Sequence, residues 1–327
     1  MTAKRFCLVA AWFLGVCVLP AQAADFEIKN DAEFKKIIPE GAKIGKVIGG
    51  LGFIEGPAWI GSDGGYLLFS DIPNNKIMKW TVKDGISVFR ADSHNSNGNT
   101  VDPQGRLVTA EHTGRAVTRT EKDGKVTILA DAFGGKKLNS PNDVVVASSG
   151  AIYFTDPDYG TPKDQKKEQD GNYVYRIDPK TQNVSRVVSD FDHPNGLALS
   201  PDEKKLYIAD SGKPRHIRVF YVKSDGMLEG GAVFCTIDKG GPDGIRCDAD
   251  GRVWSSAGDG IHVFGPDGKL IAKLLTPEIP NPRDASKMMR EAPANLAFGG
   301  ADGKTLYITA RTTLYSIRTN VKDARSK

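Results

Sequence analysis

Several things are missing from this chain, and each absence removes a class of function. Dense Lys/Arg patches interleaved with aromatics do not occur, although the net charge is +4 and the isoelectric point about 8.7. Part of that charge comes from the tails "MTAKR" and "VKDARSK", so nucleic acid is not an expected partner. No G-x-S-x-G elbow appears, which argues against a serine hydrolase of that type. The glycine-rich stretches "FGGADG" and "LGFIEG" do not sit between a strand and a helix, as a phosphate-binding loop must. No long helical pattern follows the first residues, and no later segment reads as a membrane span.

Cysteine is also scarce. Of the four, Cys7 and Cys17 fall in a segment that reads as an export signal. "MTAKRF" is a basic start, "CLVAAWFLGVCVL" an apolar stretch too short for a membrane helix, and "PAQA" a small-residue cleavage site. Cleavage is expected after Ala23, giving residues 1–23 as signal peptide and a periplasmic or secreted product. "LGVC" at Leu14–Cys17 faintly resembles a lipoprotein signal, but Val16 stands where a small residue is needed. Cys235 and Cys247 remain. They can pair in an oxidising compartment, or they are two separate core residues, since each lies in an apolar, strand-like run.

What is abundant is turn-forming residue. Thirty-six glycines and 18 prolines are spread evenly, as expected of many strands joined by tight turns. Six segments then repeat one grammar: a polar residue, an apolar run, a turn and a second apolar run. They are "EGPAWIGSDGGYLLFSD" from Glu55, "NGNTVDPQGRLVTAEH" from Asn97 and "NDVVVASSGAIYFTDPD" from Asn142. The others are "NGLALSPDEKKLYIADS" from Asn195, "DGIRCDADGRVWSSAGD" from Asp243 and "NLAFGGADGKTLYITAR" from Asn295. A spacing of roughly 40–55 residues is that of four-stranded propeller blades. The first run ("VVVA", "LALS", "LAFG") is short and almost wholly apolar, as in a strand buried on both faces, and the second is β-branched and aromatic. Turns such as "DADG" and "PDG" look like fragments of calcium loops, but they sit at hairpin tips where turn chemistry accounts for them.

The pattern predicts an all-β fold: a six-bladed β-propeller with blades of four antiparallel strands, spanning residues 43–320. The last unit has "TTLYSIR" as its third strand and lacks a fourth. "KIGKVIGG" before the first unit can supply it and close the ring, leaving no free edge. Residues 24–42 form a lead-in packed outside the ring, and 321–327 a polar C-terminal tail.

Propeller symmetry brings equivalent positions to one height on the axis. Glu55, Asn97, Asn142, Asn195, Asp243 and Asn295 should therefore ring one mouth. Two carboxylates and four amides are hard oxygen donors suited to a divalent cation, most simply calcium. The ring has no thiolate or imidazole, which argues against zinc or copper as its natural ion. The cation either takes part in chemistry or merely pins blades together. The second strands should end at the same mouth and add Asp71, Glu111, His112, Asp156, Tyr159, Asp210, Ser211, Asp259 and Arg311, a rim for a small hydrophilic molecule. Taken singly, such tips are often turn residues, and His112 reads equally as a hydrogen-bonded loop histidine. Asp143 and Asp156 are placed to orient neighbouring groups.

The motifs "EGPAW", "LNSPNDVVV", "FTDPDYG", "PNGLALSPDEKKLYIADS" and "FGGADGKTLYIT", in this order, resemble the gluconolactonase/regucalcin (senescence-marker-protein) family. The resemblance implies an axial divalent cation held by Glu55, Asn142, Asn195 and Asp243, with Asn97 on the substrate. Calcium is the expected ion, with magnesium, manganese or zinc as alternatives. "EH" at Glu111–His112 resembles the gluconolactonase subgroup. The chain departs from the family pattern in reading "SHNSNGNT" over Ser93–Thr100 where many relatives read "ANG", which puts the particular sugar in doubt.

The expected reaction is hydrolysis of a sugar lactone. The cation would polarise the carbonyl, and Asp243 or Glu55 would act as general base. Glu111, His112, Asn142 and Arg311 join Asn97 as candidate substrate contacts. Two alternatives stay open: a phosphotriesterase-like hydrolase on the same scaffold, or a non-catalytic periplasmic ligand-binding propeller. The expected partner is a small polar substrate, and the expected state a monomer, with a dimer as the alternative.

Overall fold

A computed structural model describes residues 25–161 and 164–325; the signal-peptide reading lies outside the described residues. Six antiparallel four-stranded sheets follow one another along the chain and form the blades of a propeller. Blade 1 comprises Ile54–Ile60, Tyr66–Asp71, Lys76–Thr81 and Gly85–Ala91, from the axis outward. Blades 2 to 5 repeat this order, with inner strands Ser96–Val101, Val144–Val146, Pro194–Leu199 and Ile245–Cys247.

Blade 6 is composite. Pro293–Gly299, Thr305–Ala310 and Thr313–Arg318 are completed by Gly45–Ile48 from the other end of the chain. Gly45 pairs with Ser316, Lys46 with Tyr315 and Ile48 with Leu314. The closure expected from "KIGKVIGG" is therefore present. The seam is sealed by Trp59 of blade 1 stacked on Tyr307 of blade 6, centroids 5.6 Å apart.

Burial follows position in the blade. Inner and second strands are almost wholly buried; most of their side chains are apolar, and the buried polar ones, such as Glu55, Asp71, Asp156 and Asp210, gather at the strand ends near one mouth. Outer strands such as Gly85–Ala91 and Val126–Ala130 alternate or face water. The core is thus divided into clusters between neighbouring blades, as with Trp254 of blade 5 edge-on to Phe298 of blade 6.

The lead-in is more ordered than its sequence suggests. Phe26–Ile28 adds a fifth strand to the outside of blade 5, pairing with Leu270–Leu275. A helix of about two turns, Asp31–Ile37, follows; the Asn30 side chain accepts the Glu33 N–H at 3.2 Å and caps it. Ile37 and Ile38 enter the cluster shared by blades 5 and 6. At the other end the tail crosses the far mouth of the channel. Ala324 N donates to Cys247 O, and Arg325 Nη1 donates to Thr100 Oγ1 at 3.2 Å.

Cys235 and Cys247 are both free and buried. They belong to one apolar cluster without being bonded, so the reading as two core residues is the one the structure bears out.

Candidate active site

The polar residue that opens each repeat falls where the regular ladder breaks. Register shifts interrupt the inner strands at Glu55/Ala58, Ser96/Asn99, Pro194/Leu197 and Pro293/Asn295. In blades 3 and 5 the regular pairing begins only at Val144 and Ile245, after Asn142 and Asp243. Bulges of this kind re-aim a side chain out of the sheet. Glu55, Asn97 and Asn195 lie at such bulges, Asn142 and Asp243 lie just before the regular pairing, and all five line one cavity.

The blades meet there by backbone contact. Gly98 N donates to Asn142 O at 2.7 Å, Gly196 N to Asp243 O at 3.2 Å and Gly244 N to Ala294 O at 2.8 Å. Glycine is needed for the approach: a Cβ on Gly196 would lie 2.3 Å from Asp243 O.

A cavity of about 360 Å³ opens at this mouth. Glu55, Asn97, Asn142, Asn195 and Asp243 line it, together with His112, Tyr159 and Ser211 from the ends of the second strands. Phe53, Ile72, Gly241 and Pro242 complete the wall. Asn295, the sixth residue of the expected ring, does not line the cavity. It lies beneath, donating through Nδ2 to Glu55 Oε2 at 2.9 Å and accepting Leu296 N. The same Glu55 oxygen accepts Gly56 N at 2.6 Å.

Two other expectations need correction. Glu111 is not a cavity residue. Its carboxylate turns into the sheet, accepting Arg90 Nη2 and Thr118 Oγ1 through Oε1 and meeting His94 Nδ1 at 3.0 Å through Oε2. Arg311 is also absent from the cavity wall; its carbonyl accepts Ile54 N at the seam.

The remaining second-strand acids follow the same logic. Asp71 accepts Gly52 N, Asp156 accepts Asn139 N, and Asp210 accepts Asp192 N and His193 N. Each carboxylate fastens the segment that leads into its own blade. Asp259 pairs with His262 at 2.7 Å. None of these four carboxylates lines the cavity.

The electrostatics at the floor are unbalanced. Burial first, then the neighbouring charges of Asp243 and Asp143, raise the Glu55 pKa well above the carboxylate range. Burial and Asp143 push Asp243 up to about 7. Asp143 itself is raised by burial; its Oδ2 has no hydrogen-bond partner and faces Arg246 Nη1 at 3.7 Å. The cavity wall includes no lysine or arginine among the described residues. Buried carboxylates that raise one another's pKa, with one guanidinium behind them, are stable as anions only beside a further positive charge. Two carboxylates and adjacent amide oxygens are the donor types of a hard divalent cation. The residues present therefore fit the expected metal.

Sequence comparison gives the chain its family. Residues 53–312 match the SMP-30/Gluconolactonase/LRE-like region. The chain belongs to this family. It is 31% identical to a gluconolactonase of Zymomonas mobilis subsp. mobilis over 97% of each chain. It superposes on the solved gluconolactonase of Xanthomonas campestris with a TM-score of 0.81, at 33% identity, covering 91% of this chain and 96% of that one. A calcium-binding regucalcin of Agrobacterium tumefaciens, 21% identical, covers 83% of this chain and 92% of its own with a TM-score of 0.65, and shows the shared fold alone.

Phe53, Ile72 and Pro242 were not anticipated. Phe53 stands in the connection just before the strand Ile54–Ile60, where no periodicity marks it.

Proposed function

We propose that this chain is a cation-dependent lactonase that hydrolyses sugar lactones to their aldonic acids. One observation carries the reading: two carboxylates of raised pKa, Glu55 and Asp243, share a polar axial cavity with three amides and no lysine or arginine. The gluconolactonase names of its relatives support it. So does the size of the cavity, which suits one sugar ring.

Glu55, Asn142, Asn195 and Asp243 would hold the divalent cation, calcium by donor type, which supplies Lewis acidity towards the lactone carbonyl. Asp243 would take the proton from the attacking water. The geometry favours Asp243 over Glu55, because one Glu55 oxygen is already tied to Gly56 N and Asn295 Nδ2. Asn97 and Asn142 would hold hydroxyl and carbonyl oxygens of the ligand. Export to the periplasm or beyond, through residues 1–23, is part of the same proposal.

Acid release from glucono-1,5-lactone tests the assignment. Asp243→Asn should leave the fold intact and lower kcat by about a hundredfold or more, the scale of general-base catalysis. Glu55→Gln should chiefly weaken cation binding. Wild-type kcat in Asp243→Asn would reject it as the base.

A further inference from the structure

His112 lines the cavity and also touches a second cavity residue. Its Nε2 lies 3.0 Å from Asn97 Nδ2. An amide nitrogen only donates, so the ring nitrogen facing it presents its lone pair. His112 is 8% exposed, and burial lowers its pKa to about 4, which keeps the ring neutral and able to accept. The other end of the Asn97 amide, Oδ1, is the end left for the cavity.

The imidazole is held from behind. Gly160 packs against it so closely that a Cβ there would come within 2.2 Å of Cγ and 2.4 Å of Nδ1. Gly160 is itself fixed, because its N–H donates to Ser140 Oγ at 2.9 Å while that hydroxyl donates to Pro157 O at 2.7 Å. Ser140, Gly160, His112 and Asn97 thus form one line of contacts from a loop of blade 3 to an amide on the cavity wall.

We propose that His112 is a positioning residue that fixes the Asn97 amide with its carbonyl oxygen towards the ligand, making Asn97 an acceptor for a ligand hydroxyl. Resting on the lactonase reading, this names a substrate feature. The site selects polyhydroxylated lactones over unsubstituted ones at this position, because a carbonyl oxygen rewards a hydroxyl donor and gains nothing from a C–H.

Two measurements on the full chain test it. In ¹⁵N-histidine NMR at pH 7, the signal lost in His112→Gln should show an unprotonated Nε2 and a protonated Nδ1. A protonated Nε2 would overturn the assignment. In kinetics, His112→Phe should raise KM for glucono-1,5-lactone about tenfold with kcat within about threefold, and leave KM for δ-valerolactone within about twofold. His112→Gln, whose side-chain oxygen can accept, should recover most of the KM. Equal KM increases for both lactones, or a fall in kcat alone, would overturn the proposal. A chain that opens neither lactone removes the lactonase reading, and D-gluconate binding by calorimetry then decides. Binding weakened about tenfold in His112→Phe upholds the positioning role, and unchanged binding refutes it.

Discussion

Asn295 and Glu55, at opposite ends of the propeller's sequence, are joined by a hydrogen bond of 2.9 Å under the floor of the cavity. The last blade thereby holds a carboxylate of the first, so ring closure and the proposed cation site share one contact. Asn295→Ala should weaken calcium binding and lower stability by about 1–3 kcal/mol, the cost of leaving a buried acceptor short of a partner. Calcium titration by calorimetry, alongside denaturant unfolding, checks both. A drop in stability with unchanged calcium affinity would separate the two roles.

The close meeting of blades 4 and 5 gives a second expectation. The atoms a Gly196 side chain would strike are backbone, Asp243 O at 2.3 Å and Ile245 N at 2.7 Å, so neither can swing aside. Gly196→Ala should cost about 1–3 kcal/mol or more, the range for overpacking. It should also displace Asp243 and reduce turnover. Wild-type stability would mean that the blades can part without penalty.

Asp156 ties pH to stability. It is fully buried, and burial raises its pKa to about 7 against the pull of Asn139 and Ser140 N–H groups. The folded state therefore holds its proton more tightly than the unfolded state. Its contribution is most favourable below the unfolded pKa near 4 and is lost as pH rises to about 7. Asp156→Asn removes the titration, so the variant's stability relative to wild type should improve between pH 5 and pH 8. The ceiling is a few kcal/mol, at roughly 1.4 kcal/mol per pKa unit. Urea midpoints at the two pH values give the comparison; a pH-independent difference would refute it.

Much of this was legible before any coordinates. The inner strands of blades 3, 4 and 6 announce themselves as short apolar runs buried on both faces, the spacing of the repeat locates the others, and symmetry then sets Glu55, Asn97, Asn142, Asn195 and Asp243 on one axis. Asn295 was placed correctly in the repeat but not in the ring, because its side chain is claimed by Glu55. Glu111 could not be read correctly from its own segment. Its partners Arg90 and His94 come from blade 1 and the connection after it. The strand Phe26–Ile28 is too short for an alternation to show. The helix that follows did carry a signal, with Asn30 as N-cap and Glu33 three residues on.

The thiols offer a check on the assembled core. Burial pushes the Cys235 pKa up to about 12 and raises that of Cys247. Both should be inert to thiol reagents in the folded protein, and both should titrate once it is denatured without reductant. Failure to find two thiols in the chain after residue 23 would mean that they pair.

Cation dependence and lactonase activity are tested together by acid release from glucono-1,5-lactone after exhaustive chelation, then with calcium, magnesium, manganese and zinc restored in turn. Chelation should bring turnover down to the spontaneous rate, and calcium should restore it. Undiminished turnover in the chelated protein would rule out a cation-dependent lactonase.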